Sequence, residues 1–195
     1  MTLSNEQRST LTRGTVSPAV ILIGLVVLGI IGTVFALNVQ VTQEQKVAAP
    51  EEFKPAPAFT LRDYSGSTVS LSDSHGKVRI LNSWATWCPY CVNELPAFVS
   101  LQEEFGDEIL VVAINRKESP ERSRAYLDSL GIASELTFLL DPEDLFYRDA
   151  GGFGMPVTLF VDGDGNTVTT KRGALTLEQM REEMLKVLNR ESKKI

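Results

Sequence analysis

Residues 19–37 carry no charge, and this run, from Val20-Ile21-Leu22-Ile23 through Val34-Phe35-Ala36-Leu37, constrains the chain more than any other feature. A helix over it is long enough to cross a hydrocarbon core of roughly 30 Å. A core helix of a soluble domain is rarely apolar on every side. Arg8 and Arg13 precede the run against Glu6, while Glu44, Lys46, Glu51 and Glu52 come after it. The positive-inside rule therefore keeps residues 1–18 cytoplasmic and sends the chain beyond the span outward. Val34-Phe35-Ala36 also fits a small-residue cleavage pattern that would release the chain from Leu37. Retained as a signal anchor or cleaved, the segment exports the rest of the chain to a compartment where disulfides persist.

Export makes the cysteine supply informative. Cys88 and Cys91 are the whole of it, too few for a disulfide scaffold and without the second pair of a zinc knuckle, which leaves redox work. The one histidine, His75, stands beside Gly76 and reads as a solvated turn residue. No metal and no bound cofactor are expected beyond the cysteine pair itself. The net charge of -6 is scattered, with no basic stripe to neutralise phosphates, so nucleic acid is not expected as a partner.

Residues 38–57 are polar and alanine-rich with Pro50, Pro55 and Pro57, which predicts a flexible, extended linker, about 65 Å when fully stretched. Strand and helix periods then alternate without an internal repeat, predicting an α/β domain over residues 58–195. Residues 59–62 and 68–71 alternate apolar and polar around Ser65-Gly66, a β-hairpin pattern. Residues 77–83 predict a buried strand. Residues 89–105 predict a helix carrying Val92, Leu95, Phe98, Leu101 and Phe105 and stopped by Gly106, and residues 109–114 a β-branched strand, together a βαβ unit. Pro96 inside that helix should bend it.

Ser119-Pro120 opens a further helix with Tyr126, Leu127 and Leu130 before Gly131. A strand over 136–140 and a short helix through Leu145, Phe146 and Tyr147 come next. Strands over 157–161 and 167–170 flank Asp162-Gly163-Asp164-Gly165, a strong hairpin signal. Thr176 with Gln179 forms a capping box for the last helix, packed through Leu177, Met180, Met184 and Leu188.

Trp84-Ala85-Thr86-Trp87-Cys88-Pro89-Tyr90-Cys91 sets two thiols where a strand ends and a helix begins. There the unpaired helix N–H groups and the helix dipole favour a thiolate. Cys88 becomes the nucleophile, Pro89 occupies the preferred first helical position, and Cys91, one turn inward, can resolve a mixed disulfide on Cys88. Trp84 is expected in the core and Trp87 over the cleft.

The run Leu81-Asn82-Ser83-Trp84-Ala85-Thr86-Trp87-Cys88, followed by Cys91-Val92-Asn93-Glu94-Leu95-Pro96, resembles the TlpA/ResA family of membrane-anchored thioredoxin-like proteins. The resemblance covers residues 56–188. It takes in the leading hairpin, the Gly76-Lys77 approach to the first central strand, and Phe153-Gly154-Met155-Pro156 before the final hairpin. It implies a thioredoxin-like α/β fold: a central mixed sheet flanked by helices, with an N-terminal β-hairpin extension, preceded by one transmembrane helix. It implies that Pro156 is a cis-proline facing the thiols, and that the Met155 backbone hydrogen-bonds a substrate segment laid beside Cys88. Trp87, Pro89 and Tyr90 would border that segment. Glu94, three residues after Cys91, would tune the thiols or relay their protons, against the alternative of an ordinary surface carboxylate.

Two departures matter. Asn82 stands where many soluble thioredoxins have a buried aspartate, so that relay has no carrier at this position. The dipeptide Pro89-Tyr90 looks like that of glutaredoxins, which leaves the direction of electron flow open. A reductase acting on exported protein disulfides, apocytochrome c or its maturation partners among them, would be reset by a membrane electron donor. A dithiol oxidase would need a strongly stabilised Cys88 thiolate, and Tyr90 supplies no imidazolium. A copper-delivery protein would use both cysteines and a histidine, but His75 lies before the central strand.

Overall fold

The computed structural model describes residues 17–47 and 53–194, which fall in two units, Met1–Glu51 and Glu52–Ile195. In the first, Pro18 opens a single helix, α1 (Pro18–Val47). Its stretch Pro18–Ala36 is long and apolar enough to cross a membrane, and none of it is buried within the protein. The Thr33 hydroxyl donates to the carbonyls of Gly29 (3.0 Å) and Ile30 (2.9 Å), so the helix itself satisfies this polar group.

The expected extended linker differs at both ends. Helix continues to Val47, because no glycine or proline interrupts residues 38–47 and Gln, Glu and Lys readily propagate a helix already nucleated. At the other end, β1 (Lys54–Pro55) pairs with β8 (Asn166–Arg172) at the sheet edge, where proline is tolerated, and Ala56 is buried. Residues 48–52 of that linker, and nearly all of the segment expected in the cytoplasm, lie outside the described residues.

The second unit is built on one mixed sheet in the order β1-β8-β7-β4-β5-β6-β2-β3. The hairpin of β2 (Thr60–Asp63) and β3 (Thr68–Ser70) forms as predicted and adds to the sheet beyond β6 (Thr137–Asp141). β4 (Val78–Trp84), β5 (Ile109–Arg116) and β6 run parallel; β7 (Val157–Val161) is antiparallel to β4 and to β8. Every residue of β4 is buried, so it is the central strand.

Alternation along β4 and β5 feeds two faces. Val78, Ile80, Ile109 and Val111 pack with Phe98 and Leu101 of α2 (Pro89–Phe105) and with Met180, Met184 and Val187 of α5 (Leu177–Ser192). Leu81, Val112 and Ile114 pack instead with Phe59 and with Phe146 and Tyr147 of α4 (Leu145–Asp149). The helix signals operate as expected: Ser119 caps α3 (Pro120–Leu130), Gly131 ends it in the left-handed region at φ 70°, and Thr176 with Gln179 forms the capping box of α5. Pro96 sits within α2 without ending it.

Candidate redox site

β4 delivers Trp84 to the C-terminal end of the central strands, level with Asn115 of β5, and α2 starts a few residues later, at Pro89. Trp84 is fully buried between Tyr126 and Phe138, which fixes the end of the strand. The turn after it is held by Glu118, whose carboxylate accepts from the Thr86 N–H (2.7 Å), the Thr86 hydroxyl and the Asn115 amide (2.8 Å). Arg122 closes this arrangement, 3.3 Å from Glu118 and 3.1 Å from the Thr86 hydroxyl.

Cys88 is the N-cap of α2, and its sulfur accepts the Cys91 N–H at 3.2 Å. The two cysteines form a disulfide with Cα atoms 5.3 Å apart. They are not equivalent: Cys88 is 4% exposed and Cys91 is wholly buried. An attacking group can approach only the first, and a thiolate formed there would rest on helix N–H groups. The Met155–Pro156 peptide is cis, as the resemblance implies, and Met155 packs against the cluster that contains both cysteines. Trp87 (53% exposed) and Tyr90 (67% exposed) stand at the open rim with Pro89.

Glu94 is no surface carboxylate. Only 2% exposed, it accepts from the Asn82 amide (2.8 Å) and the Leu175 N–H (3.0 Å). Burial pushes its carboxyl up to about 7, and the Leu175 and Asn82 hydrogen bonds pull only partly the other way. Asn82 also donates to the Thr158 hydroxyl at 3.0 Å. The buried acid that the strand lacks at position 82 is thus supplied from the helix and bonded to Asn82.

Sequence reasoning missed Glu118, Arg116 and Asp144. Arg116 pairs with Asp144 by two hydrogen bonds, donates to the Met155 sulfur, and lies over the ring of Tyr147. Nothing local marks these residues, since a charged residue after a strand is ordinarily solvated. Among the described residues no three His, Cys, Asp or Glu side chains gather as a metal site, and His75 is exposed.

The chain is similar to known proteins in sequence and fold. The AhpC/TSA family matches residues 53–170. The thioredoxin-like protein YneN of Bacillus subtilis is 34% identical over 152 residues, covering 75% of this chain and 86% of that protein. The thiol-disulfide oxidoreductase ResA of Bacillus subtilis is 30% identical over 126 residues, covering 64% of this chain and 69% of its own length. A crystal structure of a putative thiol:disulfide interchange protein DsbE from Chlorobium tepidum superposes with a TM-score of 0.65 at 26% identity. The match covers 72% of this chain and 99% of that one.

Proposed function

The chain belongs to the AhpC/TSA family and is a thiol-disulfide oxidoreductase of the ResA/DsbE type with a thioredoxin-like fold, and from this premise we propose that it reduces disulfides in exported proteins. In this reading the Cys88 thiolate attacks a substrate disulfide and one substrate sulfur leaves as thiolate. Cys91, deprotonated as Glu94 takes its proton, then attacks Cys88; the second substrate sulfur leaves and the Cys88–Cys91 disulfide forms. Two electrons have passed to the substrate. A membrane electron donor returns them.

The observation that carries this reading is the inequality of the two cysteines: Cys88 caps α2 and keeps a small exposed fraction, while Cys91, one turn on, is wholly buried. What supports the reductase direction is the local chemistry of the thiolate. The dipeptide is Pro89-Tyr90, so helix N–H groups act without an imidazolium, and the reduced form gains less than an oxidase requires. The 18–36 helix serves as a signal anchor with the N-terminus cytoplasmic and the redox domain outside, where apocytochrome c is the substrate that the resemblance suggests.

Equilibration of the full-length protein with a thiol redox buffer gives its reduction potential. A value near thioredoxin's roughly -270 mV is expected, and one near about -120 mV would overturn the reductase reading. Cys91→Ser in the native cell should accumulate mixed disulfides on Cys88 with exported partners.

A further inference from the structure

Arg116 ends β5, paired in register with Asp141 of β6, and its guanidinium lies near the residue before Cys88 and the residue before the cis-proline. On one side the guanidinium carbon lies 5.8 Å from the ring of Trp87, the residue before Cys88. On the other, Nη1 donates to the sulfur of Met155, the residue before the cis-proline, at 3.2 Å. Its orientation is fixed from behind: Nε donates to Asp144 Oδ1 at 2.7 Å, Nη2 to Oδ2, and the ring centroid of Tyr147 is 3.5 Å from the guanidinium carbon. Tyr147 in turn donates its hydroxyl to the Gly154 carbonyl at 3.2 Å, tying the same assembly to the loop that carries Met155.

A purely structural arginine would be explained by Asp144 and Tyr147. The Nη1 end is not. A guanidinium has five N–H donors in a rigid fork, and a thioether is a weak acceptor for one of them. This side chain is only 14% exposed, so water does little to make up the difference. A peptide carbonyl is a far better acceptor, and an extended segment beside Met155 would bring one within reach of Nη1.

We propose that Arg116 binds the substrate backbone: Nη1 donates to a peptide carbonyl flanking the reactive cysteine, in place of the Met155 sulfur. This rests on the reading of the domain as a protein-disulfide reductase. The contact reads no side chain, so it serves many polypeptides that present a cysteine in extended conformation. It gives the segment a second fixed point besides the Met155 backbone, and it selects peptides over small disulfides.

The test uses the full-length protein and a synthetic peptide closed by an internal Cys-x-x-Cys disulfide. Arg116→Met paired with Asp144→Asn removes the donor without stranding a buried carboxylate; Arg116→Lys keeps the charge without the fork and covers the case in which the paired variant does not fold. In both, KM for the peptide should rise about tenfold, as loss of a hydrogen bond from a charged donor implies, while kcat stays within about twofold and the Cys88–Cys91 potential stays at the wild-type value. An unchanged KM, or a fall in kcat with a shifted potential, would overturn the inference while leaving the reductase reading intact. A wild-type protein that reduces no peptide disulfide would overturn both.

Discussion

Glu94 is the residue whose titration the structure makes most consequential. Its folded-state value of about 7 lies above the ordinary 4.5, so between those values the folded protein holds a proton that the unfolded chain releases. The group's contribution to stability is therefore complete below about pH 4.5 and is lost as pH rises through 7, a loss on the order of 3 kcal/mol. Glu94→Gln should flatten this part of the stability profile, seen as a smaller drop in Tm between about pH 5 and pH 8. It should also slow the attack of Cys91 on a mixed disulfide by about tenfold or more and remove the inflection near neutrality, measured by rapid-mixing release of a labelled thiol. An inflection retained in the variant would assign the titration to another group. Glu118 acts differently. It holds the turn before the thiols through Thr86 and Asn115, and Glu118→Ala should cost about 2 kcal/mol by orphaning the Thr86 N–H and the Asn115 amide, read by thermal unfolding.

At the scale of elements, the proposed chemistry falls to α2, whose N-cap is Cys88. Its boundaries were legible: Pro89 at the first position and Gly106 at the stop mark them chemically, and the helix spans Pro89–Phe105 as the periodicity predicts. The capping box of α5 was equally plain, and Thr176→Ala should lower stability by about 1 kcal/mol, measured by urea unfolding with an unchanged slope. The features that escaped sequence reading depend on contacts across the fold. Arg79 lies in a strand buried along its whole length, yet it donates to the carbonyls of Asp162 (2.6 Å) and Gly163 (3.2 Å) at the β7–β8 turn. Only the pairing of β4 with β7 brings those acceptors near. Arg116 is equally silent, since its partners Asp144 and Met155 become neighbours through β6 and the cis-proline loop. For the same reason the short β1 read as linker: two residues with a proline have no period, and their strand character comes from β8.

For the whole molecule, the residues from Glu52 onward form one unit with its own sheet, cores and complete redox site, while α1 belongs to the other. Thermodynamics and delivery should therefore separate. A chain starting at Glu52 should be soluble, unfold cooperatively, and show the same Cys88–Cys91 potential as the full-length protein, because every residue that bonds or packs on the thiols is retained. In the cell the outcome should differ. Tethering raises the effective concentration of the domain at a membrane donor, to the millimolar range for a short connection, whereas a released domain meets that donor only by diffusion. An exported version lacking α1 should thus accumulate with its Cys88–Cys91 disulfide unreduced, and alkylation of free thiols in intact cells would read that state directly. Reduction as complete as in the anchored protein would show that tethering is not needed for electron delivery.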